Sequence, residues 1–240
     1  MSESKNNDYF PKYPKIDTIF KRTDKGAIVP GCYSRPEFKA LEKIEWEVFE
    51  KIDGTNIRIK WDGEGYEVRG RTDKAQIPEG LLKEIDRLID VSKFREVFGD
   101  KVVILYGEGY GANIQRKKTG PLYSESYNFI LFDVLVGDIW LSHDSILSIG
   151  FGLGINVVSR LCHAFIFPDV NKPVYCTCPN PNANANKTFY SDVVGMCKNG
   201  FKSRVGDVQA EGVIIKPPLG LKDRKGKRII AKLKCSDFFK

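Results

Sequence analysis

The sequence predicts an α+β fold in which antiparallel sheets are flanked by a few helices. Three observations lead there. Many short apolar segments alternate at period two, few segments carry a 3.6-residue apolar stripe, and turn residues separate successive strands closely. At 240 residues the chain can bury a sizeable core, and it reads as a single domain over residues 1–240. With 42% hydrophobic and 29% charged residues it is composed like a soluble globular protein. Asp133 and Asp138 break the longest apolar stretch, "YNFILFDVLVGDIWL", and "MSESKNNDYF" has no apolar signal core. The expectation is a soluble, cytoplasmic protein with no membrane partner.

Residues 44–71 read as a hairpin region: a first strand, then "NIRIKW", the turn Asp62-Gly63, and "YEVRGR". From 80 to 98 the apolar residues Leu81, Leu82, Ile85, Leu88, Ile89, Phe94, Val97 and Phe98 form a helical stripe, with a break near Val91 and a stop at Gly99. "KVVILYGEGYG" is a buried strand entering a glycine-rich segment, and "YNFILFDVLV" and "IWL" pair through Gly137-Asp138. Ser142 caps a helix to about Ile149, "CPNPNANANK" (178–187) is a loop by composition, and a short helix spans Tyr190–Lys198. Two strands, "AEGVIIKPP" and "KRIIAKLKC", close the chain around a basic turn at Gly226.

The net charge is +7. Arg116–Lys118, Lys222–Arg228 and Lys232/Lys234 supply the basic clusters, which fit either a solvated surface or the footprint of a phosphate-backbone binder. The six cysteines include Cys162 beside His163 and the pair Cys176 and Cys178, but their spacing fits no common structural zinc type. Reduced thiols are expected. "GEGYGA" is not GxGxxG, and "GLKDRKGKR" has one residue too many for a P-loop and lacks its Ser or Thr, so neither phosphate loop is present.

The polar residues Lys51/Asp53, Arg69/Arg71, Glu108, Glu211 and Lys232/Lys234 each begin, end or interrupt an apolar strand. That placement suits a solvated strand edge or a site projecting into one cleft. Taken together, "KIDGTN", "RGRTDK", "YGEGYG", "FILFDV", "EGVIIK" and "AKLK" resemble, in order, the motifs of the covalent nucleotidyltransferases, the polynucleotide ligases and mRNA capping enzymes. The likeness covers about residues 45–235. Asn56 in KxDGTN is typical of RNA ligases similar to the second RNA ligase of T-even phages, where DNA ligases and capping enzymes carry Arg. Only six residues follow Lys234, where those enzymes continue into an OB domain.

The resemblance implies a nucleotidyltransferase fold (an ATP-grasp-like ligase adenylation domain without an OB domain) and an ATP-dependent RNA ligase. Its partner would be RNA with 5′-phosphate and 3′-hydroxyl ends, including a nicked duplex. The protein would be a monomer, and a phage- or virus-encoded protein acting in the host cell fits the likeness. Lys51 would attack ATP and carry AMP. An unperturbed lysine is neutral in only about 1 in 2,500 molecules at pH 7, so a pKa of 7 needs about 4.6 kcal/mol against the ammonium. Lys232, Lys234 and a metal ion would supply the like charge.

By the same resemblance Asp53 and Glu211 would hold Mg²⁺, with Mn²⁺ as an alternative. Glu108 would accept from the ribose, Phe132 would stack on adenine, and Glu50 would read its amino group, beside Ile52. Asn56 and Arg71 would position a phosphate, with Arg69 a close second to Arg71, and Lys216 would contact phosphate. Gly54 would let the backbone approach the nucleotide. The competing readings are a DNA ligase, a GTP-dependent capping guanylyltransferase, and a basic RNA-binding relative without catalysis.

Overall fold

The computed structural model describes residues 9–115, 123–164 and 193–238. The chain opens with β1 (Asp17–Thr18), β2 (Phe20–Arg22), β3 (Ile28–Tyr33) and α1 (Pro36–Ala40). There follow β4 (Trp46–Lys51), β5 (Thr55–Trp61), β6 (Tyr66–Gly70), α2 (Glu79–Leu88), α3 (Val91–Phe98) and β7 (Val103–Tyr110). The second half contributes β8 (Asn128–Val136), β9 (Ile139–Trp140), α4 (His143–Leu153), β10 (Arg160–Ala164), α5 (Val193–Asn199), β11 (Gly212–Lys216) and β12 (Ala231–Lys234).

Two five-stranded sheets carry the fold. One has the order β1-β12-β11-β4-β10 and the other β6-β5-β7-β8-β9, with β2 and β3 as a separate pair. All named strand pairs are antiparallel except the two-residue pairing of β1 with β12. Each sheet buries an apolar face over its own core. Trp46, Val48, Val213, Ile215 and Leu233 pack with Met196 and Cys197 of α5 beneath the first sheet. Ile57, Ile59, Trp61, Leu105 and Leu131 pack against α2, α3 and α4 beneath the second. A smaller cluster, Phe49, Ile52, Tyr110, Ile130 and Val158, joins them.

The antiparallel α+β architecture matches the sequence reading. The apolar stripe at 80–98 does break, at Ile89-Asp90. Asp90 caps α3 by accepting from the backbone N–H of Ser92 and Lys93, and Gly99 ends it with a positive φ of 59°. Ser142 caps α4, which runs one turn past the expected end to Leu153 and stops at Gly154 in the left-handed region. One expectation is corrected: β5 and β6 form a hairpin around Asp62, but β4 belongs to the other sheet. Sequence adjacency suggested a pairing that the Ile52–Gly54 crossing prevents. The 178–187 loop, Cys176, Cys178, Arg116–Lys118 and the start of the 190–198 helix lie outside the described residues. Among the described residues no helix is long and apolar enough to cross a membrane.

Candidate active site

The segment "KIDGTN" links the two sheets. Lys51 closes β4 and Asn56 enters β5, so both residues face a cleft of 440 Å³. On the first sheet Lys51 lies opposite Gly212, and Gly212 opposite Lys234. A Cβ on residue 212 would come within 2.2 Å of Leu233 O, so glycine is needed where β11 closes on β12. Glu211, one residue earlier, sits between the two lysines. Its carboxylate accepts from Lys51 Nζ and from Lys234 Nζ, the latter at 2.5 Å. Lys232 points into the same cleft two residues before Lys234, as the period of a strand requires. On the opposite wall β5 and β7 run in register, which places Asn56 across from Glu108.

Charges in the cleft perturb one another. Burial raises the Glu108 pKa to about 8, the Lys51 cation lowers it, and the Glu211 and Asp53 carboxylates raise it further. Burial lowers the pKa of Lys232, and the neighbouring Lys51 and Lys234 ammonium groups add to that. Burial also works against the charge of Lys234, but the bond to Glu211 outweighs it and the pKa is raised. Burial raises the pKa of Glu50, opposed by its hydrogen bonds. Glu50 Oε2 accepts from the Arg204 backbone N–H at 2.8 Å, while its buried Oε1 and the buried Oδ1 of Asn56 have no donor among the described residues.

The cleft brings together Glu50, Lys51, Ile52, Asp53, Asn56, Arg71, Glu108, Phe132, Glu211, Lys216, Lys232 and Lys234. Arg69 is not among its lining residues. It bonds Glu67 and Asp73 and lies 4.8 Å from the centroid of the Phe10 ring, because β6 keeps it against the N-terminal segment, whereas Arg71 has left the strand. Gly54 is crowded by protein: a Cβ there would meet Gly109 O at 2.3 Å and Glu108 Cγ at 2.8 Å. Close packing against β7 therefore also calls for glycine here, at a position that lines the cleft.

Sequence reasoning missed one part of the cleft wall. Asp133 is fully buried beside Phe132 and accepts from Tyr13 Oη at 2.7 Å, Arg228 Nη2 at 3.0 Å and Lys216 Nζ at 3.4 Å. Burial opposes its charge, but Arg228 and Lys216 outweigh that and lower its pKa. Lys216 also lies over the Phe49 ring at 4.7 Å. A carboxylate inside the apolar "FILFDV" was the available signal. Tyr13 and Lys15, which line the cleft from an N-terminal segment, gave none. Among the described residues no three His, Cys, Asp or Glu side chains converge as a metal cage. Magnesium asks less, needing one or two carboxylates plus phosphate oxygens and water.

A family model described as RNA ligase matches residues 44–234. The chain belongs to the RNA ligase family. Its fold is also that of solved RNA ligase structures from Naegleria gruberi. One mutant of that enzyme with ATP and Mn superposes with a TM-score of 0.56 at 16% identity, over 92% of this chain and 61% of that one. The same enzyme with pyrophosphate gives 0.58 at 16% identity, over 95% and 63%. This RNA ligase family chain therefore spans about three fifths of the length of the solved structures that it matches. No curated protein sequence matches it significantly.

Proposed function

We propose that this chain is an ATP-dependent RNA ligase that works through a covalent Lys51–AMP intermediate. One observation carries the reading: Lys51, Glu211 and Lys234 form one bonded row at the edge of a cleft whose far wall holds Glu108 and Asn56. A binding module would not need a lysine tied to a carboxylate at a strand end, facing a second lysine pair. The Naegleria gruberi enzyme, solved with ATP and Mn and with pyrophosphate, supports the same nucleotide chemistry.

Lys51 Nζ attacks the α-phosphorus of ATP, an N–P bond forms, and pyrophosphate leaves with its electron pair. Glu211 orients the amine and lies in direct reach of its proton. Lys232 and Lys234 face the charge that builds on the phosphates, where fixed cations act most strongly. An oxygen of the RNA 5′-phosphate then displaces Lys51 from the adenylyl phosphorus. Attack of a 3′-hydroxyl on the activated end releases AMP and seals the strand. Glu50 Oε1, buried and without a donor among the described residues, suits an exocyclic amino group, and Phe132 with Ile214 would enclose the base. Asp53 and Glu211 would hold Mg²⁺ or Mn²⁺, whose chemistry is to neutralise phosphate oxygens. Both carboxylates line the cleft, and Glu211 would release a lysine to take such a cation.

The test is covalent labelling. Wild type incubated with α-labelled ATP and Mg²⁺ is expected to retain label through denaturation, and Lys51→Ala to retain none. Label from GTP alone would refute the ATP reading in favour of a capping enzyme, and absence of label from any nucleotide would refute catalysis.

A further inference from the structure

A second concavity lies outside the cleft. It is an open groove of 1060 Å³ between the β1–β2 segment, α1 and the 222–229 turn, lined by seven Lys or Arg side chains and three carboxylates. The carboxylates are already engaged. Asp17, Glu37 and Asp223 hold Arg35, and Asp17 also pairs with Lys227. The side chains of Lys21, Arg224 and Lys225 are exposed and enter no hydrogen bond or ion pair among the described residues. Two of these cations stand on a built turn. Asp223 Oδ1 accepts the backbone N–H groups of Lys225 and Lys227 at 2.8 Å each, and Gly226 adopts a positive φ of 76°.

The three cations come from two segments of chain along the groove, β2 and the 222–229 turn, which suits an extended polyanion. One stretch of chain passes from the cleft to the groove. Tyr13, Lys15 and Ile16 line the cleft, and Asp17, Thr18 and Lys21 line the groove. Fully extended chain from Lys15 to Lys21 spans about 20 Å at most. A strand whose end occupies the cleft therefore reaches the groove within a few nucleotides.

We propose that this groove holds the sugar–phosphate backbone of the RNA being sealed, several nucleotides from the reacting end. The inference rests on the ligase reading for its substrate, and its test separates the two. Binding of a labelled 20-nucleotide 5′-phosphorylated RNA is measured by anisotropy across a salt series, for wild type and for the triple variant Lys21→Ala, Arg224→Ala, Lys225→Ala. Loss of three phosphate contacts is expected to reduce the salt slope by about 2, at roughly 0.7 per phosphate on single strands. Affinity at low salt should fall at least tenfold, while self-labelling with ATP stays at the wild-type level. A 5′-phosphorylated dinucleotide, too short to reach the groove, should bind both proteins alike. An unchanged slope, or equal weakening of the dinucleotide, would overturn the proposal. A wild type that takes no label from ATP, yet loses RNA binding in the variant, would sink the ligase reading and leave the groove standing.

Discussion

Glu211 serves two lysines at once, and that fixes what the resting site can do. An amine hydrogen-bonded to a carboxylate is held in place by it, so the attack proposed for Lys51 has to begin with loosening that contact. The sequence reading placed only cations around Lys51, and Glu211 entered it only as a metal ligand. Opposite stands Glu108, whose carboxyl holds its proton up to about pH 8 in the folded protein, against a usual value near 4.5, because burial penalises its charge. The sign of the linkage follows. Between those values the folded state keeps a proton that the unfolded chain gives up, so stability falls as pH rises from about 4.5 to 8 and is level above. At 1.36 kcal/mol per pKa unit the ceiling is about 5 kcal/mol, and water in the cleft tempers it. Glu108→Gln is therefore expected to match wild type near pH 5 and to melt higher than wild type above pH 8. An offset that does not change with pH would contradict this.

Among the elements, Ile52–Gly54 does the most with the fewest residues, carrying the chain from one sheet to the other so that Lys51 and Asn56 face a common space. The tight approach of Gly54 to Gly109 O sets the spacing of that crossing. Gly54→Ala is expected to destabilise the protein by about 1–3 kcal/mol, as overpacked sites do, and to lower self-labelling by pushing Lys51 off register; urea unfolding and α-labelled ATP read the two effects. Most elements were legible because their signals are local: the apolar stripe of α2 and α3 with its Asp90 cap, the Asp62 hairpin, the glycine link between β8 and β9. The β4 pairing was not, since which sheet a strand joins depends on partners as remote as Gly212 and Arg160. Nor were β1 to β3, whose exposed and irregular residues alternate too weakly to read.

For the whole molecule, the candidate site was legible to the extent that it is carried by ordered motifs, and twelve of the residues so chosen line one cleft. What stayed hidden was the Tyr13–Asp133–Arg228 cluster, because its members are 95 to 215 residues apart and meet only through the fold. The cleft draws its walls from both five-stranded sheets, β4, β11 and β12 on one side and β5, β7 and β8 on the other. A nucleotide seated there bridges the two cores and must stabilise the folded state by mass action. At 100 times its dissociation constant such a ligand adds about 2.7 kcal/mol, and each kcal/mol raises the melting temperature of a chain this size by roughly 2–4 °C. A non-hydrolysable ATP analogue with Mg²⁺ is therefore expected to raise the melting temperature by roughly 5–10 °C on these scales. Lys51→Ala should keep much of that shift, since it loses the attacking amine while Glu50, Phe132 and Lys216 still line the cleft. If calorimetry showed no shift at saturating analogue for either protein, the space between the sheets would not be a nucleotide site.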